Sequence, residues 1–185
     1  MAFSPATFGE EGNVSSRLKI EEAVPADVSS ICTMVRDLAE YEGLVHTLAM
    51  TEEMLSEALF GPNPAARALM ARFDHEAAGF AAYSYTFSTF TGRRGMWLED
   101  LYVKRSVRRQ GIGSSLLGRV AAIAHREECG RLEWSALHWN EPAIRLYGRA
   151  GAKQLSEWDV YRLEGEEIAA AARTVPAAAP RRRTG

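Results

Sequence analysis

Two adjacent carboxylates, Glu99 and Asp100, interrupt a segment that is otherwise apolar. Residues 96–103 read Met-Trp-Leu-Glu-Asp-Leu-Tyr-Val, and acids are unfavourable inside strands. A carboxylate there can accept a proton or bind a cation, but it can equally belong to a structural ion pair or a solvated strand end. Because successive strand residues point to opposite faces, the two side chains are predicted to lie on different faces of the sheet.

A glycine-containing turn follows this predicted strand. Residues 104–113 read Lys-Arg-Ser-Val-Arg-Arg-Gln-Gly-Ile-Gly, and an apolar pattern of helical spacing begins directly afterwards. The free N–H groups and partial positive charge of a helix N-terminus bind anions. Gly111 and Gly113 permit close approach of the backbone, and Arg108 and Arg109 carry donors that suit phosphate oxygens. The pattern predicts a pyrophosphate-binding turn, with a tight turn bearing two solvated arginines as the alternative.

This turn differs from the two best-known phosphate-binding patterns. It contains neither the lysine-bearing P-loop spacing nor the three-glycine dinucleotide fingerprint. Neither a nucleoside triphosphatase nor a Rossmann-type enzyme is therefore predicted.

The elements that must position these residues form a mixed α+β pattern. Helices are predicted over 27–41, 51–60, 111–127, 140–150 and 164–173. Strands are predicted over 18–22, 67–73, 77–86, 96–103, 131–136 and 158–163. Thr51 and Asn140 are predicted to cap their helices. The remaining segments, 1–16 and 174–185, are predicted to be flexible tails, the second of them basic, on either side of one domain spanning 17–173.

Composition excludes several classes of protein. The 185 residues are 46% hydrophobic and 25% charged, with a formal net charge of −2, which is ordinary for a globular protein and disfavours non-specific binding to nucleic acid. There is no apolar run of ~18 residues and no apolar signal core, so no membrane span or secretion is predicted. The distant Cys32 and Cys129 predict reduced thiols and a cytoplasmic location. The four histidines lack metal-ligand spacing, so no metal site is predicted.

Two motifs in this chain resemble those of the GNAT superfamily of N-acetyltransferases. Residues 108–113, Arg-Arg-Gln-Gly-Ile-Gly, resemble its acyl-CoA-binding pattern, and residues 139–152, Trp-Asn-Glu-Pro-Ala-Ile-Arg-Leu-Tyr-Gly-Arg-Ala-Gly-Ala, resemble its second signature. The chain is most similar to the diamine group, the spermidine/spermine and thialysine acetyltransferases, in residues 37–42, Gly79-Phe80-Ala81 with Tyr85, residues 97–103 and residues 139–142. The resemblance covers roughly residues 18–167. It implies a GNAT fold, with a central mixed, mostly antiparallel sheet of about six to seven strands flanked by about four helices.

The resemblance also implies an activity and a set of site residues. The activity is direct transfer of an acetyl group from acetyl-CoA, as co-substrate, to a primary amine of a small cationic metabolite. Glu99 takes the place of a general base that acts through water, and Tyr147 that of the general acid at the CoA sulfur. The residues implied in acetyl-CoA binding are Leu101, Tyr102, Val103, Arg108, Arg109, Gln110, Gly111, Ile112, Gly113, Ser114 and Asn140. Those implied in acceptor binding are Glu42, Phe90, Asp100 and Tyr161.

Several alternatives stay open at this point. Phe90 and Tyr161 stand where the animal diamine enzymes carry tryptophan, so an amino acid, a lysine analogue, an aminoglycoside or a protein N-terminus is an alternative acceptor. A protein that binds CoA without turnover is a further alternative. Tyr147 could instead be an aromatic residue of the core. The acidic residues within 37–42 could simply form the solvated end of a helix. The resemblance also implies a homodimer.

Overall fold

The computed structural model describes residues 17–174. They fall into two compact units, of which the first ends at Ala150 and the second begins at Gly151. The predicted tail 1–16 lies outside the described residues, as does the predicted tail 174–185 apart from Thr174.

The first unit contains a five-stranded sheet. Its strands are β1 (Leu18–Glu22), β2 (Arg67–Phe73), β3 (Glu76–Ser88), β4 (Arg93–Val103) and β5 (Leu132–Glu133). They lie in the order β1-β2-β3-β4-β5; the first four pair antiparallel, and β4 pairs with β5 in parallel. The predicted α+β class and the mixed, mostly antiparallel sheet are confirmed.

Five α-helices lie within residues 17–174. They are α1 (Val28–Glu42), α2 (Glu52–Phe60), α3 (Ile112–Arg126) and α4 (Glu141–Arg149) in the first unit, and α5 (Gly165–Ala172) in the second. Both predicted caps are confirmed, because Thr51 Oγ1 accepts a hydrogen bond from the Met54 N–H at 3.2 Å and Asn140 Oδ1 accepts one from the Ala143 N–H at 3.4 Å.

The described residues form fewer strands than the sequence predicts. The predicted strand 131–136 is reduced to two residues, and the predicted strand 158–163 is absent from the part of the chain that the structure describes. Trp158 and Val160 alternate as a strand requires, but they are 75% and 81% exposed. Among residues 151–174 no other strand is present to pair with this segment, and an isolated strand is not stable in water.

The sheet of the first unit is covered on both faces. The α3 core, which contains Leu69, Ala71, Met96 and Leu98, packs around α3. The α1 core, which contains Ile31, Met34, Met70, Phe80 and Tyr102, packs around α1 and α2. Neighbours along β2 therefore alternate between two cores, which explains why that strand is almost continuously apolar.

Candidate active site

A β-bulge lies at the two carboxylates of β4. Asp100 pairs with Ala82 of β3 and Leu98 pairs with Tyr83, so Glu99 has no partner in the register. The alternation of faces changes at this point, because Leu98 and Leu101, three residues apart, both pack against the α3 core. The prediction that Glu99 and Asp100 lie on opposite faces depends on strict alternation, which this bulge interrupts.

Two further carboxylates act on Asp100 at this bulge. Burial, followed by the charges of Glu99 and Glu42, raises the pKa of Asp100 to about 6. Glu42 is the last residue of α1, and burial raises its pKa as well. Within residues 17–174, no cationic side chain lies within 4 Å of any of the three. The bulge therefore carries negative charge that the described protein does not neutralise.

Tyr147 lies on α4, within the influence of the same acids. Its ring packs against Trp134 with centroids 4.9 Å apart. Burial raises the pKa of the Tyr147 hydroxyl, and the negative charge of Glu42 raises it further. Because Glu42 acts on both Asp100 and Tyr147, α1, β4 and α4 bring these side chains to one region.

The edge of β4 that faces β5 is largely open. The pairing of these strands is limited to Met96 with Leu132 and Trp97 with Glu133. Beyond Trp97, the β4 backbone has no pairing with β5, and this stretch includes the bulge and Leu101 to Val103. Unpaired backbone donors on such an edge can bind an extended ligand.

The predicted phosphate-binding turn joins β4 to α3. Gly111 precedes α3 with φ +80°, and no side chain caps the helix. The first N–H groups of α3 therefore have no intrahelical partner and no side-chain acceptor from the cap position. Arg109 also adopts a left-handed conformation, with φ +64°. Such strain in a non-glycine residue is typical of functional turns.

Arg108 is tied to the protein more closely than the sequence indicated. Its Nε donates to the Val103 carbonyl at 3.0 Å. Its guanidinium carbon lies 4.7 Å from the ring centroid of Tyr41 and 5.6 Å from that of Tyr102. One donor of Arg108 is thus committed to the end of β4, and the guanidinium is held between two aromatic rings.

Tyr41 is a residue of this region that sequence reasoning missed. Its hydroxyl donates to Asn140 Oδ1 at 3.2 Å, and its ring packs against Trp139 with centroids 5.4 Å apart. It lies in the segment 37–42 that carries the family resemblance, directly before Glu42. An aromatic residue with a hydroxyl at the end of an amphipathic helix was the available signal.

The other predicted site residues are distributed as follows. The α3 core is contacted by Leu101 and Val103, and the buried residues Tyr102 and Ile112 lie next to them in the sequence and at the start of α3, respectively. Two polar residues near the start of α3, Gln110 and Ser114, are exposed. Gly113 lies beside Leu101 and Leu146. Phe90 lies in the turn between β3 and β4 and is 99% exposed, so the structure does not bring it to the carboxylates. Tyr161 belongs to the second unit, where it is 89% exposed.

Residues 17–174 lack two features, a group of metal-binding side chains and a membrane-spanning helix. No three His, Cys, Asp or Glu side chains in this range are grouped so that they could hold a metal ion. No helix in the same range has the length and apolar character needed to cross a membrane.

This chain is similar to known proteins in sequence and in fold. The profile of the Acetyltransferase (GNAT) family matches residues 33–152. A thialysine N-epsilon-acetyltransferase of Sus scrofa is 38% identical over 160 residues, covering 80% of this chain and 94% of its own. A spermidine/spermine N(1)-acetyltransferase-like protein of Homo sapiens is 29% identical, covering 81% of this chain and 23% of its own. Among solved structures, an integron cassette protein from the mobile metagenome of V. cholerae has a TM-score of 0.70 at 26% identity, covering 85% of this chain and 99% of that one.

Proposed function

The chain belongs to the GNAT family of acetyltransferases, and we propose that it transfers the acetyl group of acetyl-CoA directly to a primary amine of a small cationic metabolite. The names of the relatives support the acceptor class, since thialysine, spermidine and spermine all carry primary amines. The observation that carries the proposal is the set of unneutralised carboxylates at the β4 bulge.

These carboxylates suit a cationic acceptor. A primary alkylamine has a pKa near that of lysine, about 10.4, so roughly one molecule in a thousand is neutral at pH 7. Asp100 and Glu42 attract the ammonium form. No cationic side chain among residues 17–174 lies within 4 Å of these two carboxylates to compete for them. Glu99, exposed at the unpaired position of the bulge, takes the amine proton through water before the nitrogen can attack.

The turn after β4 fits a pyrophosphate. The free N–H groups at the start of α3 and the exposed Arg109 and Gln110 hold the diphosphate of acetyl-CoA, which supplies the acetyl thioester when bound. The open edge of β4 from Leu101 to Val103 offers N–H donors to the extended arm and to the oxyanion that develops. Asn140 supports the same arm from the start of α4.

Tyr147 is the proposed general acid. Its raised pKa keeps the hydroxyl protonated at neutral pH, so it can donate a proton as the carbon–sulfur bond breaks. The amine proton has then passed toward Glu99, and the leaving sulfur has gained one from Tyr147.

The transfer is proposed to need no acyl-enzyme. Burial is the main cause that raises the thiol pKa of both Cys32 and Cys129. A raised pKa lowers the fraction of thiolate, which is the nucleophilic form. Neither cysteine is therefore suited to accept the acetyl group.

We also propose a cytoplasmic homodimer, in which Phe90 and Tyr161 contribute to acceptor binding. Phe90 in the first unit and Tyr161 in the second are both highly exposed in the isolated chain, as expected for side chains that have another surface to contact. Light scattering of the purified full chain checks the dimer, and a mass equal to one chain would exclude it.

An assay of free CoA thiol tests the proposed function. The purified chain is given acetyl-CoA and, separately, spermidine, putrescine, cadaverine, L-lysine, thialysine, an aminoglycoside and a peptide with a free N-terminus. Thiol release that depends on a small cationic amine supports the proposal. Release only with the peptide or the aminoglycoside assigns the alternative acceptor, and calorimetric binding of CoA without thiol release for any amine would favour the non-catalytic alternative.

A further inference from the structure

The carbonyl of Val103, the last residue of β4, faces the open edge of that strand. The Lys104 N–H donates to the Ala78 carbonyl of β3 at 2.9 Å. In a planar trans peptide the N–H and the C=O point in opposite directions, so the Val103 carbonyl points away from β3. The N–H groups of Val103 and Leu101 point the same way, because backbone orientation repeats at every second residue of a strand. The last acceptor of β4 therefore lies on the edge proposed to bind the extended arm of acetyl-CoA.

Arg108 occupies this acceptor from the phosphate-binding turn. Its Nε–H donates to the Val103 carbonyl at 3.0 Å, across five positions of the chain. Hydrogen bonds from a charged donor are stronger than those between neutral groups, and this one is partly buried. The bond therefore fixes the turn relative to the end of β4.

Two aromatic rings hold the Arg108 guanidinium in this position. Tyr41 approaches it from α1 and Tyr102 from β4, each within 6 Å of its central carbon. Tyr102 is buried, and exclusion of water strengthens such a cation–π contact. A bidentate contact with phosphate needs two N–H groups on one edge of the guanidinium, and the Nε–H is already used. Arg109, by contrast, is exposed.

We propose that Arg108 is a positioning residue and not a phosphate ligand. It holds the phosphate-binding turn at a fixed position relative to the N–H donors on the open edge of β4. A molecule with a diphosphate and an extended arm can then meet both sets of partners at once. The inference rests on the proposed function, because it concerns how the co-substrate of that reaction is held.

Three substitutions separate the hydrogen bond of Arg108 from its charge. The side-chain nitrogen of glutamine lies as many bonds from Cα as Nε of arginine does, so Arg108→Gln can keep the hydrogen bond without the charge. Arg108→Lys keeps the charge, but its ammonium lies one bond farther out and is more strongly hydrated than a guanidinium, so it is a poor fit between two rings. Arg108→Met loses both the hydrogen bond and the charge.

Calorimetry with two ligands tests the proposal. CoA carries the diphosphate and the extended arm, whereas ADP carries the diphosphate alone, and its Kd is measured by displacement of CoA. The ratio of the ADP Kd to the CoA Kd reports the contribution of the arm. Arg108→Met should lower this ratio about tenfold, the effect of losing one hydrogen bond to a charged group. Arg108→Lys should lower it about fivefold and Arg108→Gln less than about threefold, with the ADP Kd within about twofold of the wild-type value in all three.

Two arginine variants serve as comparisons. Arg109→Ala removes a proposed phosphate contact, so it should raise the Kd of ADP and of CoA by similar factors and leave the ratio unchanged. Arg119→Gln, which removes an exposed arginine of α3, is the matched control and should change neither Kd. Denaturant unfolding shows which variants fold, and the Gln and Lys variants decide the question if the Met variant does not.

Several results would overturn the inference. Equal losses of ADP and CoA affinity in the Arg108 variants, as in Arg109→Ala, would make Arg108 a phosphate ligand. Tighter CoA binding by the Lys variant than by the Gln variant would do the same, and an unchanged ratio in the Met and Lys variants would reject the positioning role. If no amine releases thiol, the proposed transfer fails, and the predicted change in the ratio would still support the role of Arg108. A wild-type chain that binds no CoA, or from which ADP does not displace it, would reject the inference.

Discussion

The Tyr41 hydroxyl donates a hydrogen bond to Asn140 Oδ1 over 3.2 Å, although 99 positions separate the two residues in the chain. The same oxygen of Asn140 caps α4, and the Tyr41 ring lies under the Arg108 guanidinium. One side chain at the end of α1 therefore contacts the helix that carries Tyr147 and the turn proposed to bind pyrophosphate. Glu42, one of the two carboxylates proposed to attract the acceptor, directly follows Tyr41 on the same helix.

Removal of the Tyr41 hydroxyl should weaken the contact between α1 and the start of α4 without abolishing it. Tyr41→Phe retains the ring contacts and loses the hydrogen bond, which is worth about 1 kcal/mol of stability. We expect a decrease in kcat/KM of less than about tenfold, because the ring contacts with Trp139 and Arg108 remain. A double-mutant cycle with Asn140→Ala, measured by denaturant unfolding, should give a coupling energy of about 1 kcal/mol. Additive effects would show that the two side chains do not act together.

Asp100 should lower stability at neutral pH. Its pKa in the folded protein is about 6, above its ordinary 3.8, so the folded state binds the proton more tightly than the unfolded state does. The stability contributed by this group is therefore lost as the pH rises from about 4 to about 6. Asp100→Asn should raise the free energy of unfolding by about 1 to 3 kcal/mol at pH 7.5 and by little at pH 4.

The same substitution should impair amine binding. At pH 7.5 Asp100→Asn is expected to raise the KM for the amine at least tenfold and to leave the KM for acetyl-CoA unchanged. In the wild-type chain the KM for the amine should rise as the pH falls below about 6, because Asp100 becomes protonated. A variant that is both less stable at pH 7.5 and unaltered in its KM for the amine would contradict the assignment.

Glu99 and Tyr147 should be distinguishable by their pH profiles. Glu99→Gln is expected to lower kcat mainly at low pH, where almost all of the amine is protonated, and to recover as the pH approaches the amine pKa. Tyr147→Phe should lower kcat about 100-fold throughout the neutral and mildly alkaline range, since burial raises the pKa of this hydroxyl above its ordinary value. Steady-state rates from pH 6 to 10 measure both effects, and near wild-type turnover in both variants would remove the proposed roles.

Arg109 allows strain and charge to be separated in the phosphate-binding turn. Its φ of +64° is costly for any residue with a Cβ. Arg109→Gly and Arg109→Ala both remove the charge, but only glycine relieves the strain, so the glycine variant should be about 1 kcal/mol more stable. Both variants should raise the KM for acetyl-CoA by a similar factor. Equal stabilities, measured by denaturant unfolding, would mean that the left-handed conformation is not retained in solution.

The sequence predicted the features that depend on local pattern. The apolar spacing of α1 and α3 and the caps Thr51 and Asn140 all follow from interactions within one turn or one helix. The two motifs were sufficient to identify the family, because each combines residue type with a strand or helix context.

The features that it did not predict depend on contacts between distant segments. The bulge at Glu99 arises from the register between β3 and β4, which strict alternation along β4 cannot reveal. The hydrogen bond from Arg108 to the Val103 carbonyl and the position of Tyr41 above the turn require the packing of α1 on the sheet. The segment 158–163 has the composition of a strand but no partner strand among the described residues 151–174, and composition alone does not supply one.

The central claim is that the turn at residues 108–113 and the carboxylates at the β4 bulge form one site. A bisubstrate compound, with CoA joined through an acetyl linker to the side-chain amine of lysine, tests it by calorimetry. We predict that this compound binds the wild-type chain at least 100-fold more tightly than CoA does, and that Asp100→Asn removes this advantage while the affinity for CoA is unchanged. A bisubstrate affinity no greater than that of CoA, or one that Asp100→Asn leaves intact, would contradict the account.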